Sequence, residues 1–396
     1  MPPDEARPRL SDGSRALFER FAARPGAGAD RAAALRRHVE SSPALVRQLN
    51  QAVAADELRG FTVQPADVNA GGTYDPSTRH ISVPLSQLED RYECVFVMGH
   101  EVQHALNRAA VEDADTRFPT DLHQQASSGS LDYTTPVATL MQAQRWDEAS
   151  ANLAGWNALV SHHTSAAAEA GRPQPSLATV AASNGRTRDV VEGDVLTGYH
   201  VRPNLSLGPD LTAELTPANI EGMAQNYVDR PAAETRLGHH GNSDYANYYG
   251  AYAVGVTVQY HRAMYPPQPG VAEVPFALDL QRLGLDRALM EQNGVHLGGS
   301  RQPMPFLDTS TTPPRREHLH HTFETHQHVP TSPASDAARR DPSRAGRTDD
   351  LRSMSFPRSP AHAGAVAATS TGGTSRPGAR EMVPPVRTPR SSDRGR

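Results

Sequence analysis

The sequence contains no lysine, since all 39 of its basic residues are arginine. A GC-rich genome, whose codons favour arginine, explains this composition, and so does selection against ubiquitin acceptor sites in a protein that works inside a eukaryotic cell. Both interpretations stay open. The arginines are outnumbered by 44 acidic residues, which gives a formal net charge of −5. Nothing in this balance indicates a nucleic acid or an anionic membrane as a partner.

Cysteine and long apolar segments are also scarce. The one cysteine, Cys94, excludes an intrachain disulfide bond and fits a buried apolar position in a helix. No apolar run approaches the roughly 18 residues that a membrane-spanning helix needs, so we expect no membrane span. The N-terminal stretch MPPDEARPRLSDGSR lacks the apolar segment of a general secretory signal peptide, so we expect no such peptide to be cleaved.

Hydrophobic residues make up 37% of the chain, fewer than in an average globular protein. From Asp308 onwards Pro, Ser, Thr, Arg and Ala dominate, and such a segment buries too little apolar surface to offset its ordering entropy. We therefore predict a disordered tail over residues 308–396. Five histidines near its start are expected to lie in a solvated linker that binds metal only adventitiously: His318, His320, His321, His326 and His328.

The pattern before the tail predicts an α+β protein that is mainly helical. Residues 1–60 carry apolar residues at three- and four-residue spacing between Gly, Pro and Ser breaks, which predicts an N-terminal helical part. Residues 61–84 have the alternation and turn residues of short strands, including Ile81-Ser82-Val83. We expect one domain over residues 61–307.

Two long helices are predicted inside this domain. Ser86 and Glu89 form a capping-box pattern, so the first helix is expected to begin there and to end at about Leu106. Residues 108–135 are expected to be irregular, and the second helix to run from about Pro136 to Val160. Further helices are predicted over residues 216–227, 245–264 and 279–292, and residues 276–299 are assigned to the domain edge.

His100, Glu101 and His104 form an HExxH motif in the first long helix. Residues four apart lie about one helical turn apart, so both imidazoles project from one face and can chelate one ion. Zn²⁺ suits two imidazoles and a carboxylate, with a fourth position left for water. Glu101 is then positioned to take a proton from that water, which makes it the candidate general base.

A site with two histidines needs a third protein ligand. The metzincin continuation is excluded, because Asn107 and Ala110 stand where that class needs glycine and histidine. Glu148 on the second long helix is the better candidate, and Asn152 lies one turn further on the same face, where it can hydrogen-bond a ligand histidine. Alternatives for the third ligand are Asp147, His123, His162, His163 and Asp244.

HExxH followed by a downstream Glu-x-x-x-Asn helix resembles the gluzincin branch of the zincin metallopeptidases, over roughly residues 70–160. This family usually has aspartate where Asn152 stands. The resemblance implies a zincin-like fold with a small sheet over the active-site helix, in which Ile81-Ser82-Val83 is the edge strand that substrates extend. It implies that His100, His104 and Glu148 bind zinc, and that the substrate is a peptide bond.

Zincins often use a tyrosine or histidine to stabilise the oxyanion of the tetrahedral intermediate. Candidates here are Tyr248 and Tyr249, in a stripe of tyrosines at helical spacing that also fits a core position, and His239 and His240, in a polar loop between glycines.

The sequence thus predicts a zinc metallopeptidase that hydrolyses a protein substrate. The absent signal peptide, the absent lysine and the Arg/Ser/Pro-rich tail are similar to the layout of bacterial secreted zinc-peptidase effectors. We therefore expect export through a specialised secretion system and a host-cell target protein, with a cytoplasmic location as the alternative. The alternative function is a non-catalytic interaction protein that keeps the zincin fold and binds through its tail.

Overall fold

The computed structural model describes residues 7–65, 71–235 and 237–330. Most of the predicted tail, residues 331–396, lies outside the described residues. The described chain is an α+β protein, mainly helical with small sheets, as predicted. Across these described ranges, the search for a helix with the length and apolarity to cross a bilayer found none.

The helices are α1 (Asp12–Ala22), α2 (Gly28–Glu40), α3 (Pro43–Ala54), α4 (Arg91–Ser127), α5 (Thr134–Glu169), α6 (Leu177–Ala181), α7 (Pro217–Met223), α8 (Ala232–Thr235), α9 (Tyr245–Met264), α10 (Leu280–Leu283) and α11 (Arg287–Asn293). The strands are β1 (Gly60–Val63), β2 (Thr73–Asp75), β3 (His80–Val83), β4 (Val191–Asp194), β5 (Gly198–Val201), β6 (Phe276–Leu278), β7 (Met304–Asp308) and β8 (Arg315–Leu319).

The N-terminal helices α1 to α3 form as predicted and share a core with α4. Ser42 caps α3 by accepting a hydrogen bond from the amide of Leu45, and Pro43 occupies the first turn, where its missing N–H costs nothing. Leu45 and Val95 are fully buried members of one apolar core, which also contains residues of α1, α2 and the first three strands. Residues 7–60 therefore pack as part of the same body as α4.

The start and end predicted for α4 are wrong. Ser86 lies in a short 3-10 turn, and Asp90 caps the helix instead by accepting from the amides of Tyr92 and Glu93. The helix then continues past Leu106, through Pro119, to Ser127. Tertiary packing explains the extension, because this half of α4 carries a buried stripe in a second apolar core with α5, α9 and strands β6 to β8: Ala114, Phe118, Leu122 and Ala126.

Helices α4 and α5 cross with their backbones almost in contact. A Cβ on Gly99 would lie 3.0 Å from the carbonyl oxygen of Ala154, and a Cβ on Gly155 would lie 2.9 Å from that of Phe96. Each glycine therefore admits the backbone of the other helix. This crossing sets the distance between the HExxH turn of α4 and the Glu148 turn of α5.

The first sheet has the strand order β1-β3-β2, with β1 parallel and β2 antiparallel to β3. The prediction that Ile81-Ser82-Val83 is the edge strand is therefore wrong, because β3 is the central strand. The side chains of β3 alternate in burial because only one face of the sheet is covered. An edge strand and a central strand both show this alternation, so it does not distinguish between them. The edge next to α4 is β2, which contains Tyr74.

The tail boundary predicted at Asp308 is also wrong. Strand β7 ends there, but β8 follows and pairs antiparallel with it, and β6 pairs parallel with β7 on its other side. The composition did not indicate this strand, because β8 is polar at four of its five positions and buries only Leu319 fully. Phe276, in β6, is fully buried in the second core, so the segment 276–299 is a core segment.

Candidate metal centre

The crossing of α4 and α5 brings the three predicted ligands together. Nε2 of His100 and Nε2 of His104 lie 3.0 Å apart, and Oε2 of Glu148 lies 3.8 Å from Nε2 of His100. One ligand atom from each residue falls within 4.8 Å of the others, and this is the one such His/Cys/Asp/Glu group in the described ranges. The three residues can hold a metal ion.

The residues of the centre are buried. The exposed fractions are 6% for His100 and for His104, 3% for Glu101 and 0% for Glu148. Burying ionisable groups so deeply is costly unless they meet a charge of opposite sign or a metal ion. A divalent cation between two imidazole nitrogens and a carboxylate oxygen meets that need, so the donor chemistry fits a metal such as Zn²⁺.

A carboxylate holds the ring of His104 from behind. Nδ1 of His104 lies 2.9 Å from Oδ2 of Asp147, and Nδ2 of Asn107 donates to Oδ1 of the same carboxylate at 2.8 Å. The carboxylate accepts a hydrogen bond from the N–H at Nδ1. Nε2 of His104 is therefore directed towards His100 as the ligand atom. Asp147, considered above as a rival ligand, therefore supports a ligand instead.

The hydroxyl of Tyr249 donates to Oε1 of Glu148 at 2.5 Å. Tyr249 lies on α9 and is 5% exposed, so this hydrogen bond is made in a dry environment. It holds one oxygen of Glu148 and directs the other, Oε2, towards His100. Tyr249 was predicted as an oxyanion stabiliser, but its hydroxyl is engaged with the carboxylate ligand.

Glu101 lies beside the metal ligands and below strand β2. Its Oε2 accepts a hydrogen bond of 2.8 Å from the backbone amide of Tyr74, which leaves Oε1 to accept or deliver a proton. Burial raises the pKa of Glu101 to about 7, with a further rise from the Glu148 carboxylate that His104 opposes. A carboxyl group with a pKa near neutrality can act as both base and acid at physiological pH.

Gly72, directly before β2, lies where the backbone passes close to Glu101. Its φ of +147° lies in the region that side chains rarely adopt, and a Cβ there would lie 2.7 Å from Cγ1 of Val97 and 3.2 Å from Cγ of Glu101. Glycine is thus required for the backbone to pass close above the catalytic candidate.

The two imidazoles differ electrostatically. Burial lowers the pKa of His100 well below its ordinary value, and the charges of His104 and Arg186 lower it further. Burial also acts to lower the pKa of His104, but the carboxylates of Asp147 and Glu148 outweigh it and raise the pKa. His100 is therefore neutral and ready to bind a metal, whereas a metal must displace a proton from His104.

Asn152 lies one turn after Glu148, as predicted, and contacts His100. This contact raises the pKa of His100, although burial dominates. Oδ1 of Asn152 and Nδ1 of His100 are both buried, and neither atom has a hydrogen-bond partner within the described residues. Nδ2 of Asn152 points away from His100 and donates to Oδ2 of Asp189 at 3.1 Å.

The remaining candidates lie in other surroundings. Asp244 caps α9 by accepting from the amide of Asn247, and His123 bonds to the hydroxyl of Tyr260. His162 contacts the hydroxyl of Ser41, and the ring of His163 stacks on Tyr92. His239 stacks on His326, His240 contacts the carbonyl of His326, and the ring of Tyr248 lies edge-on to that of Tyr249. Candidate histidines 239 and 240 therefore face the C-terminal end of the described chain.

Two residues that the sequence did not single out border the centre. The ring of Tyr227 lies 6.3 Å from that of His100, and its hydroxyl contacts that of Tyr245 at 2.5 Å. Arg186 forms a partly buried ion pair with Glu93 and lies over the ring of Phe96. Arg186 comes from the loop-rich segment 165–215 and Tyr227 from the end of the helix predicted over residues 216–227, and neither pattern indicates that these residues approach α4.

Comparison of the chain with protein-family models, with curated proteins and with solved structures yields no match. The case for a metal centre therefore rests on the residues and distances described above.

Proposed function

We propose that this protein is a zinc-dependent metallopeptidase that hydrolyses peptide bonds of a protein substrate. The observation that carries the proposal is the convergence of His100, His104 and Glu148 beside Glu101, in a buried centre. Two imidazoles and one carboxylate leave a coordination position open, which is typical of catalytic zinc sites.

His100, His104 and Glu148 would hold the zinc ion. When bound, zinc supplies a Lewis acid that polarises a carbonyl group and makes water a stronger acid. Asp147 orients the ring of His104 so that its Nε2 faces His100, and Tyr249 holds Oε1 of Glu148 so that Oε2 also faces His100.

Glu101 is the residue that moves a proton. Oε2 is fixed by the amide of Tyr74, so Oε1 accepts a proton from the attacking water and later delivers it to the leaving amine. Tyr227, beside His100, is the described tyrosine best placed to donate a hydrogen bond to a developing oxyanion.

An edge strand next to the catalytic candidate supports a peptide as the substrate. Strand β2 pairs with β3 on one side, and the Tyr74 amide on its other side points to Glu101. An extended peptide can lie along such an edge and hydrogen-bond to it. The absence of lysine supports a substrate inside a eukaryotic host cell, to which the protein would be delivered as a secreted effector.

The substitution Glu101→Gln tests the proposal. With zinc bound, the wild-type full chain should cleave peptides of a denatured protein such as casein, and a chelator should abolish the cleavage. Glu101→Gln should bind zinc but lose about 10²- to 10⁴-fold in rate, because an amide cannot take up the proton. Glu112→Gln, on the exposed part of α4, is the matched control and should keep the wild-type rate.

Two results would overturn the proposal. If zinc-loaded Glu101→Gln cleaves as fast as the wild type, Glu101 is not the base. The second result is that the zinc-loaded wild type cleaves no protein substrate, while the wild type and Glu101→Gln bind a partner protein equally well. This result favours the alternative of a non-catalytic interaction protein.

A further inference from the structure

A cavity of about 270 Å³ lies beside the metal centre. Its wall contains three arginines, two tyrosines and three carboxylates: Arg186, Arg188, Arg230, Tyr227, Tyr245, Glu93, Asp189 and Glu234. The volume is enough for one amino-acid side chain.

Tyr227 and Arg186 connect this cavity to the centre. The ring of Tyr227 stands edge-on to that of His100 at 6.3 Å, and Tyr227 also lines the cavity. Arg186 also lines the cavity, and its guanidinium lies 5.7 Å from the ring centre of Phe96, one helical turn before His100. A group bound in the cavity therefore lies next to the proposed reaction site.

Both oxygens of each carboxylate in the deep wall already accept a hydrogen bond from a neighbouring side chain. Oε1 of Glu93 accepts from Arg186 at 2.9 and 2.6 Å, and Oε2 accepts from Nδ2 of Asn184 at 3.0 Å. Asp189 pairs with Arg230 through one oxygen and accepts from Asn152 through the other. These two carboxylates are engaged in holding the wall together.

Arg188 is different. It lies on the exposed rim of the cavity and has no carboxylate partner within the described residues. Its positive charge acts unfavourably on the neighbouring guanidinium of Arg230. The rim carboxylate Glu234 is itself exposed, so solvent screens it. The cavity thus offers guanidinium donors in excess of the acceptors that face them.

We propose that this cavity binds a carboxylate group of the peptide substrate, an acidic side chain or the C-terminal carboxylate, through Arg188 and Arg230. The inference rests on the proposed peptidase function for the identity of the ligand as a peptide. Guanidinium groups match carboxylates in geometry and charge. Arg230 and Tyr245 also line a second cavity of about 510 Å³, which gives the rest of the peptide room to continue.

Binding of small probes to the full chain without metal tests the cavity independently of catalysis. N-acetylglutamic acid α-amide carries only a side-chain carboxylate, N-acetylalanine carries only a terminal carboxylate, and N-acetylglutaminamide is neutral. Titration followed by NMR should show that at least one carboxylate probe binds about fivefold or more tightly than the neutral probe. Which of the two does so identifies the source of the carboxylate.

Arg188→Gln should remove most of this preference without unfolding the protein, because Arg188 is exposed and makes no described ion pair. The matched control is Arg172→Gln, an exposed arginine beyond the end of α5. It lies roughly 30 Å from the centre, since α5 rises about 1.5 Å per residue after Glu148. The inference is overturned if the wild type binds all three probes equally, or if Arg172→Gln loses the preference as fully as Arg188→Gln.

A second arm keeps this inference separate from the peptidase proposal. The zinc-loaded wild type is incubated with a synthetic peptide library, and the products are sequenced by mass spectrometry. We expect an acidic residue or a chain end at a fixed distance from the cut, and a weaker preference in Arg188→Gln. A library cut without any such preference overturns the inference. If nothing is cut, the peptidase proposal fails, and the probe titration alone decides whether the cavity binds carboxylates.

Discussion

Nδ1 of His104 lies 2.9 Å from Oδ2 of Asp147, the residue directly before Glu148 on the neighbouring helix. Consecutive positions of α5 thus serve two purposes, because Glu148 offers an oxygen to the metal position while Asp147 orients an imidazole. The carboxylate of Asp147 is itself held by Nδ2 of Asn107, so the ring, the carboxylate and the amide form one network across the two helices.

Replacing Asp147 with Asn should weaken metal binding. An amide oxygen lacks the negative charge that favours the Nδ1-protonated ring, so we expect the zinc affinity to fall about 10- to 100-fold. Competition with a chromophoric chelator measures the change. Asp113→Asn, at an exposed residue of α4 that pairs with Arg117, is the control and should bind zinc like the wild type. Unchanged affinity in Asp147→Asn would contradict the assigned role.

Replacing Tyr249 with Phe should also weaken metal binding, because Oε1 of Glu148 loses the hydroxyl that holds it. A hydrogen bond to a charged group contributes about 1.5–3 kcal/mol, so the zinc dissociation constant should rise by roughly tenfold or more. The control is Tyr260→Phe, on the same helix as Tyr249, which removes a hydroxyl that is hydrogen-bonded to His123. If both variants bind zinc equally well, Tyr249 does not position the ligand.

The helix crossing makes a prediction about stability. In Gly99→Ala the new methyl group would lie 3.0 Å from the carbonyl oxygen of Ala154 and 2.7 Å from Cβ of Ala158, so α4 and α5 must move apart. We expect the free energy of unfolding to fall by about 1–3 kcal/mol, as in other overpacked cores. Gly299→Ala, where no atom lies within 4 Å of the new methyl, should be close to neutral. Chemical denaturation of the two variants makes the comparison.

Local sequence patterns predicted the metal centre well because its main parts are local. The spacing of His100 and His104 depends only on helical periodicity, and Glu148 was found by looking for a carboxylate on the next helix. The role of Asp147 was missed because it depends on which side of α5 faces α4. Tyr227 was missed because its approach to His100 depends on the path that the chain takes after α5 ends at Glu169.

The errors of the fold prediction have similar causes. Ser86 and Glu89 match a capping box, but Asp90 is the residue that caps the helix. A local pattern does not show which of two possible caps the helix uses. The ordered segment after Asp308 was assigned to the tail because its strand is polar. Its order depends on Glu291, a buried residue of α11 that a composition window does not connect to it.

Glu291 predicts a pH dependence of stability. Burial would raise its pKa, but the hydrogen bond from His320 and the charge of Arg287 lower it below the ordinary value of 4.5. His328 lies 2.6 Å from the same carboxylate. Because the pKa is lower in the folded protein, ionised Glu291 stabilises the fold above pH 4.5, and this contribution is lost as the pH falls through the lowered value.

Thermal unfolding of the wild type and Glu291→Gln between pH 7 and pH 3 checks this prediction. We expect the wild type to be more stable by about 1–3 kcal/mol at pH 7, with the difference shrinking as the solution becomes acidic. A difference that stays constant over this range would show that the charge of Glu291 does not hold residues 320–329 in place.

The stoichiometry and affinity of zinc test the central claim most directly. We predict that the purified full chain binds one zinc ion tightly, that His104→Ala and Glu148→Ala each lose this binding, and that Glu101→Gln keeps it. Circular dichroism of each variant shows whether it remains folded. A wild type that binds no zinc, or folded His104→Ala and Glu148→Ala variants that bind it as tightly as the wild type, would contradict the account.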